Sequence, residues 1–531
     1  MVASNYHNVR SSLYAFPIFL GLLFLCIVRP SQVLGQGIRD EIFDKKVTLP
    51  KQRTTVYQAL NQLTDSIGYL FAYDSKLVDS DRRIRTNITS IPLRKALGQI
   101  LADSTLGFRV IDRHILIFTN TRVDTLLLGR ESPDTTRFYS VSGRVLDSQT
   151  RKPLSYVTVG IPEIALGSVT NQEGAFMLKI DRGFNVSHLS ISHIGYRKMA
   201  IPIDLLRLEP VDIFLETDYI SIQEVIIRNI DPRMLVREAL SKISDNFSPS
   251  PTYHTAFYRE GVVKSGKFQN YSEAIFKIYK SAYSKKIETD QVKLLKSRKT
   301  QNLEPTDTLS IKLRGGINSS LTLDIVKNIP FYLEDDYAEF YTFTRKDIVT
   351  VGDRIAYAIA FDQKEFSTEP LIIGTLYIDV DNLAILGADL EINPKNVVRA
   401  TDQFVHKRNR RFRFKPEGIK YSVRYTNLNG VYHLSHVRGD LNFKYRLRRS
   451  FSLNSFHLFF ELATTQIDSL NVSRFARNEI ESTQNIFLEN AYEYDQVFWR
   501  DLNIIPPEKI VFEALKDINL KIEEIQHNSN P

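Results

Sequence analysis

The sequence holds a single cysteine, Cys26, and it lies inside the apolar run at residues 13–28. A chain that loses this run has no thiol, which excludes disulfides, a cysteine nucleophile and a cysteinate metal site. After residue 28 there is no apolar stretch of the about 20 residues that a helix needs to cross a bilayer core of ~30 Å, so the remainder is aqueous or a barrel. Catalytic signatures are missing too: there is no H-E-x-x-H, no G-x-S-x-G and no P-loop. Nor is there a strong excess of one charge. The 69 Lys+Arg against 61 Asp+Glu give +8 over 531 residues, weak grounds for nucleic-acid binding. At 43% hydrophobic and 24% charged the composition is that of globular domains rather than of a disordered or collagen-like chain. The length predicts two to four domains.

Arg10 precedes the apolar run, Pro17 interrupts it, and Arg29-Pro30 and Val33-Leu34-Gly35 follow. A positive flank, a hydrophobic region and small residues after it read as a signal peptide over 1–35, cut after Gly35. Phe24-Leu25 before Cys26 are bulky where a lipoprotein signal needs small residues, so lipidation is not expected. The expected location is the periplasm or the periplasmic face of the outer membrane.

Residues 44–119 read as one α+β unit. Val47-Thr48-Leu49 is strand-like, Val56, Leu60 and Leu63 share a helical face, and 69–73 is extended. The pattern then repeats: a strand at 82–88, a helical face of Leu93, Leu97, Ile100 and Leu101, and a hairpin over Asp112-Arg113. Two β-α-β halves with Thr55-Val56-Tyr57-Gln58-Ala59-Leu60 and Ile91-Pro92-Leu93-Arg94-Lys95-Ala96-Leu97 resemble the secretin and TonB short N-terminal domain. That resemblance implies an interaction module. A polar linker with Pro133 occupies 120–138.

Residues 139–216 alternate in short runs: Val141/Gly143/Val145, Val157/Val159, Phe176/Leu178/Ile180 and Leu189/Ile191, closing with a strand at 211–215. This is the pattern of a small β-sandwich. Gly174 after Asn171-Gln172-Glu173 is expected at positive φ in a hairpin, Pro153 at a strand start, and Gly195 at a bulge. Asp147, Leu154, Thr170-Asn171 and His193-Ile194-Gly195-Tyr196 complete a set that resembles the carboxypeptidase regulatory-like domain. The resemblance implies a prealbumin-like sandwich of the kind found at the front of Bacteroidetes envelope proteins.

A connector at 217–230 contains the extended run 223–227. The final region, 231–525, opens on a helix capped by Asp231 with Pro232 at its first turn. It continues almost entirely as strands to about 468, with tight links at Asp381-Asn382 and Asn427-Leu428-Asn429-Gly430. A partly helical insert is expected over 290–331, and a helix with Ile510, Ala514, Leu515 and Ile518 before a polar tail. A helix followed by a long antiparallel sheet is similar to the half-barrel of periplasmic lipoprotein carriers. The fold class is therefore multidomain and mainly β: a βαβ unit, a sandwich, then a large half-barrel-like antiparallel sheet with flanking helices.

No catalytic constellation is visible, and neither a cofactor nor a metal is expected. His188/His193 and His433/His436 are separated by odd numbers, which on a strand point side chains to opposite faces. No His-x-x-Glu of a zinc carboxypeptidase occurs. Asp335-Asp336, and Asp379 with Asp381, read as solvated surface. One pattern stands out. Arg411-Phe412-Arg413-Phe414-Lys415 and Lys444-Tyr445-Arg446-Leu447-Arg448 alternate cations with apolar residues, so each strand puts three cations on one face. If the two share a sheet, six positive charges line one face and suit an envelope protein or an anionic lipid or lipopolysaccharide surface. The expectation is a non-enzymatic exported protein that binds a partner or ligand. An outer-membrane receptor related to TonB-dependent systems and an unrecognised hydrolase remain alternatives.

Overall fold

The computed structural model describes residues 41–119, 137–218, 231–301, 317–404, 412–447, 453–482, 499–508 and 521–526, with short gaps at 76, 209, 266, 285–287 and 500–501. The expected signal peptide, the linker, the run 223–227 and the helix around 510–518 lie outside the described residues.

The first unit runs β1 (Lys46–Thr55), α1 (Val56–Ile67), β2 (Leu70–Ala72), β3 (Arg83–Pro92), α2 (Leu93–Leu101), β4 (Leu106–Ile111) and β5 (His114–Thr119). Local chemistry starts and stops α1. Thr55 Oγ1 accepts the Gln58 N–H while Gln58 Oε1 accepts the Thr55 N–H, a reciprocal cap, and Gly68 at φ +76° ends the helix. Val56, Ala59, Leu60 and Leu63 pack against Leu93, Ala96, Leu97 and Ile100 of α2. Strand β1 pairs antiparallel with β3, and β2 lies parallel to β5, which hairpins with β4 over Asp112 at positive φ.

The sandwich comprises β6 (Phe138–Asp147), β7 (Thr158–Ile161), β8 (Leu166–Val169), β9 (Ala175–Asp181), β10 (His188–Ser192), β11 (Met199–Pro202), α3 (Ile203–Leu208) and β12 (Val211–Leu215). One sheet has the order β12-β6-β9, the other β11-β10-β7-β8. Between them lie Val141, Val145, Val159, Phe176, Leu178, Leu189 and Ile191. Gly174 takes φ +73°, and a Cβ there would meet the Val145 carbonyl at 2.4 Å. Two expectations change. Pro153 forms an isolated bridge with Leu146, five residues ahead of β7, and so does not begin a strand. Gly195 is the left-handed residue of the turn between β10 and β11, where the alternation stops because the chain reverses, and not a bulge. The first unit docks on this domain through Asp212, which accepts Arg144 Nε (2.9 Å) and the Ser75 N–H (3.2 Å).

The third region begins with α4 (Pro232–Ser241), whose first N–H groups are capped by Asp231 Oδ1. Strands β13 (Thr252–Lys264), β14 (Lys267–Lys280) and β15 (Gln291–Gln301) precede a short α5 (Ile317–Thr322). Then follow β16 (Tyr341–Val351), β17 (Arg354–Gln363), β18 (Ile372–Asp379), β19 (Ile385–Ile392), β20 (Phe412–Leu428), β21 (Val431–Leu447), β22 (Asn454–Asp468) and β23 (Lys521–Gln526). They form one curled antiparallel sheet in the order β23-β15-β14-β13-β22-β21-β20-β19-β18-β17-β16. The β20–β21 turn places Asn429 and Gly430 both at positive φ, the two-residue geometry that follows strand twist.

One face of this sheet is filled. Leu235, Val236 and Ala239 of α4 and Leu321 of α5 join Tyr258, Phe276, Phe361, Leu376, Val437 and Leu462 in one core. Phe247 meets Tyr283, Tyr425 and Tyr432 with ring centroids 5.2–5.9 Å apart, pairs worth about 0.5–1.5 kcal/mol each.

Two further expectations change. Residues 291–301 are a strand and not part of a helical insert: a register shift at Leu294/Lys296 inserts one residue and breaks the two-residue period. Residues 521–526 pair with β15 and so are neither helix nor tail, although Ile522 and Ile525 are spaced as on a helix.

Candidate functional site

The paired strands β20 and β21 set the geometry of the basic pattern. Their register places Arg413 directly across from Arg446 and Lys415 across from Lys444, with Phe414 across from Tyr445. Alternation sends the four cations to one face and the rings to the other, where Phe414 and Tyr445 stack at 5.9 Å. Arg413, Lys415 and Arg446 are exposed and Lys444 is half-buried. Lys444 Nζ bonds Glu417 Oε1 at 2.6 Å; among the described residues the other three make no ion pair. Leu453, beside the β22 end that pairs with Tyr445, is more than half exposed. Arg411 and Arg448 lie outside the described residues. Like charges directly opposite each other destabilise a sheet, so the pairing carries a cost that, among the described residues, only the Glu417 contact to Lys444 offsets.

The histidines and acids go elsewhere. His433 packs on His254 at 5.7 Å, whereas His436 Nε2 lies 2.8 Å from Glu461 Oε1. His188 sits by Asp112, and His193 by Tyr196. Asp335 pairs with Arg237 (2.7 Å) at the surface. Asp379 departs from the expectation of a solvated acid: it is fully buried. Arg354 grips both its oxygens, and the Asp381 and Asn382 N–H groups donate to Oδ1, so the side chain organises the β18–β19 turn from inside.

Sequence reasoning also missed a buried ion network on the outer face of the sheet. Arg259 Nε bonds Glu461 Oε2 at 2.6 Å, and Arg438 Nη1 reaches the same oxygen at 3.2 Å. Both guanidinium groups also contact Glu508 Oε1, and Arg259 Nη1 donates to the Pro506 carbonyl. Burial alone would raise the Glu461 pKa, but Arg259 and Arg438 hold it far below the carboxylate range. Burial likewise opposes ionisation of Asp440, and bonds from His457 and Arg438 bring it down to about 2. The network clamps the segment 499–508 between the sheet and the sandwich. Asn171 Nδ2 donates to Pro506 O and Pro507 O, and Asn503 exchanges hydrogen bonds with the Lys179 backbone. Trp499 is buried against Phe257 and donates to Glu273. No local signal marks the network, because Arg259, Arg438, Glu461 and Glu508 meet across 23 to 249 positions of chain.

Among the described residues no three His, Cys, Asp or Glu side chains converge on a metal position. No described helix is long and apolar enough to cross a membrane.

Residues 141–227 match the family model of the CarboxypepD_reg-like domain. The chain therefore contains that domain, over the segment that forms the sandwich. No curated protein matches the chain. Among solved structures, a DUF1329 family protein from Desulfovibrio piger is similar over 46% of this chain and 96% of its own, at 14% identity and a TM-score of 0.23. At that score the likeness decides nothing about fold or function.

Proposed function

We propose that this chain is a non-enzymatic protein of the cell envelope that docks on an anionic lipid surface through the basic strip of β20 and β21. The face-to-face pairing of Arg413 with Arg446 and of Lys415 with Lys444 carries the reading. Such a pairing is unfavourable in the free protein and is relieved when closely spaced anions bind on that face among the opposed side chains. Exposed Leu453 beside the strip supplies an apolar contact, which favours an amphiphilic surface over an acidic protein. The filled inner face of the sheet supports a docking role rather than carriage of an apolar ligand in the curl. The carboxypeptidase regulatory-like domain and the βαβ unit, with its resemblance to a short N-terminal interaction domain, fit an envelope setting.

The test is co-sedimentation with phosphatidylcholine vesicles with and without phosphatidylglycerol, at low salt. Each basic residue near an anionic surface is worth about 1 kcal/mol, and Glu417 already offsets one of the four. Changing Arg413, Lys415, Lys444 and Arg446 together to Gln should therefore weaken binding to the anionic vesicles roughly a hundredfold. Equal binding by the variant, or equal binding to neutral vesicles, removes the proposal.

A further inference from the structure

The corner of the large sheet at β16, β17 and β18 carries aromatic rings that the core does not take up. Two short 3-10 turns, Phe331–Leu333 and Asp335–Phe340, lead into β16, and the loop 364–371 joins β17 to β18. Tyr332 and Leu333 are buried, with Tyr332 stacked on Phe361 at 5.3 Å, and Phe331 is left outside. From there ring follows ring over the surface: Phe331 to Tyr337 at 4.9 Å, Tyr337 to Phe340 at 6.3 Å and Phe340 to Phe366 at 5.8 Å. Phe331, Tyr337 and Phe366 are 41%, 40% and 66% exposed.

Phe366 is not exposed for want of support. Gln363 Nε2 donates to the Ser367 and Glu369 carbonyls at 2.8 and 2.9 Å, Arg399 Nη1 donates to the Thr368 carbonyl, and the Lys364 N–H donates to the Phe340 carbonyl. The loop is held with its ring turned out, so a partner that covers the ring meets little ordering cost. Contiguous exposed apolar side chains mark interaction sites, and aromatic anchors carry much of the energy of such contacts.

The charges around the rings choose the partner. Residues 331–340 and 362–369 hold seven acids and one base, Lys364, in a chain whose net charge is +8. Asp335 pairs with Arg237 and Arg233. Glu334, Asp336, Glu339, Asp362, Glu365 and Glu369 are exposed and, among the described residues, make no ion pair. Such a surface repels anionic lipid and nucleic acid. A purely apolar partner would strip water from the carboxylates without replacing it, and a lone small cation would cover one ring of the row. A basic polypeptide matches both parts. Its ammonium or guanidinium groups stand over ring faces and beside carboxylates, and its apolar side chains cover the rings. We infer that this aromatic and acidic corner is a docking surface for a basic segment of another protein that carries interspersed apolar side chains. The inference does not rest on lipid docking by the basic strip. A second copy of the chain, offering its own strip, is the competing occupant.

Fluorescence anisotropy with the full chain and labelled synthetic peptides tests this. The peptides are four repeats of Lys-Leu-Ser, four of Lys-Ser-Ser as a charge-only control, and four of Glu-Leu-Ser. At low salt the Lys-Leu-Ser peptide should bind tighter than about 100 μM and at least about tenfold tighter than Lys-Ser-Ser, and Glu-Leu-Ser should not bind. Tyr337→Ser with Phe366→Ser should weaken binding about tenfold or more. Glu334→Gln, Asp336→Asn, Glu339→Gln and Glu365→Gln together should do the same. All of these positions are exposed, and a retained cooperative melting transition shows that each variant is folded. The quadruple Gln variant of the basic strip should keep full affinity for the peptide. The inference is overturned if the two Lys peptides bind equally, or if the Tyr337/Phe366 variant binds as the parent does. It is also overturned if the chain self-associates at low salt and the strip variant does not, which would make a second copy the occupant.

Discussion

Glu461→Gln is the sharpest perturbation of the clamp that holds the segment 499–508. Gln has the shape of Glu but no charge. Arg259 and Arg438, both fully buried, would keep only Glu508 and Asp440 as acidic partners. His436 would lose the carboxylate that accepts from Nε2. Removing one partner from a buried ionic cluster costs about 3–5 kcal/mol, because the remaining charges stay desolvated. With a urea slope of about 2–3 kcal/mol/M, the midpoint should fall by about 1–2.5 M. The chain has a single tryptophan, Trp499, and it is buried within the clamped segment, so its fluorescence reports directly on release of that segment. Changing Arg259 and Arg438 to Met and Glu461 and Glu508 to Leu together should recover most of the loss, since an apolar cluster of similar volume needs no pairing and Asp440 keeps His457. A loss under about 1 kcal/mol for Glu461→Gln would show that water reaches the guanidinium groups, and the reasoning would fail.

Gly174→Ala should destabilise the sandwich by about 1–3 kcal/mol, read as a lower melting temperature, since the new Cβ meets the Val145 carbonyl at a left-handed φ. His433 is held neutral by burial, with its pKa lowered to about 4 from 6.5. The unfolded chain therefore binds more protons between those values, and stability falls as pH drops from about 6.5 to 4, by about 3 kcal/mol for this residue. His433→Gln should remove this residue's share of the slope, while His193, lowered to about 4 by burial, keeps its own. Asp440, with its pKa at about 2, contributes stability that is present above the unfolded carboxylate value near 4. That stability is lost as pH falls toward 2, so a second acid transition should red-shift Trp499 emission in that window and be absent in Asp440→Asn.

Elements governed by short-range chemistry were legible. Asp231 with Pro232, Gly174 and Asn429-Gly430 each announce a local geometry, and each adopts it. The alternation at 412–415 and 444–447 gave the faces of β20 and β21, and the structure supplied their register. What escaped depends on distant partners. Leu295 breaks the period of β15 because of its neighbour β14, and Asp379 is buried because Arg354 on another strand neutralises it. The ion network exists only once chain segments hundreds of residues apart are packed together.

Hydrogen–deuterium exchange of the full chain, with and without phosphatidylglycerol vesicles, examines the docking face most directly. New protection should be confined to the strand ends at 412–416 and 443–447 and to the residues around Leu453. Protection centred on the βαβ unit or the sandwich, or no change on β20 and β21, would contradict the assignment of that face.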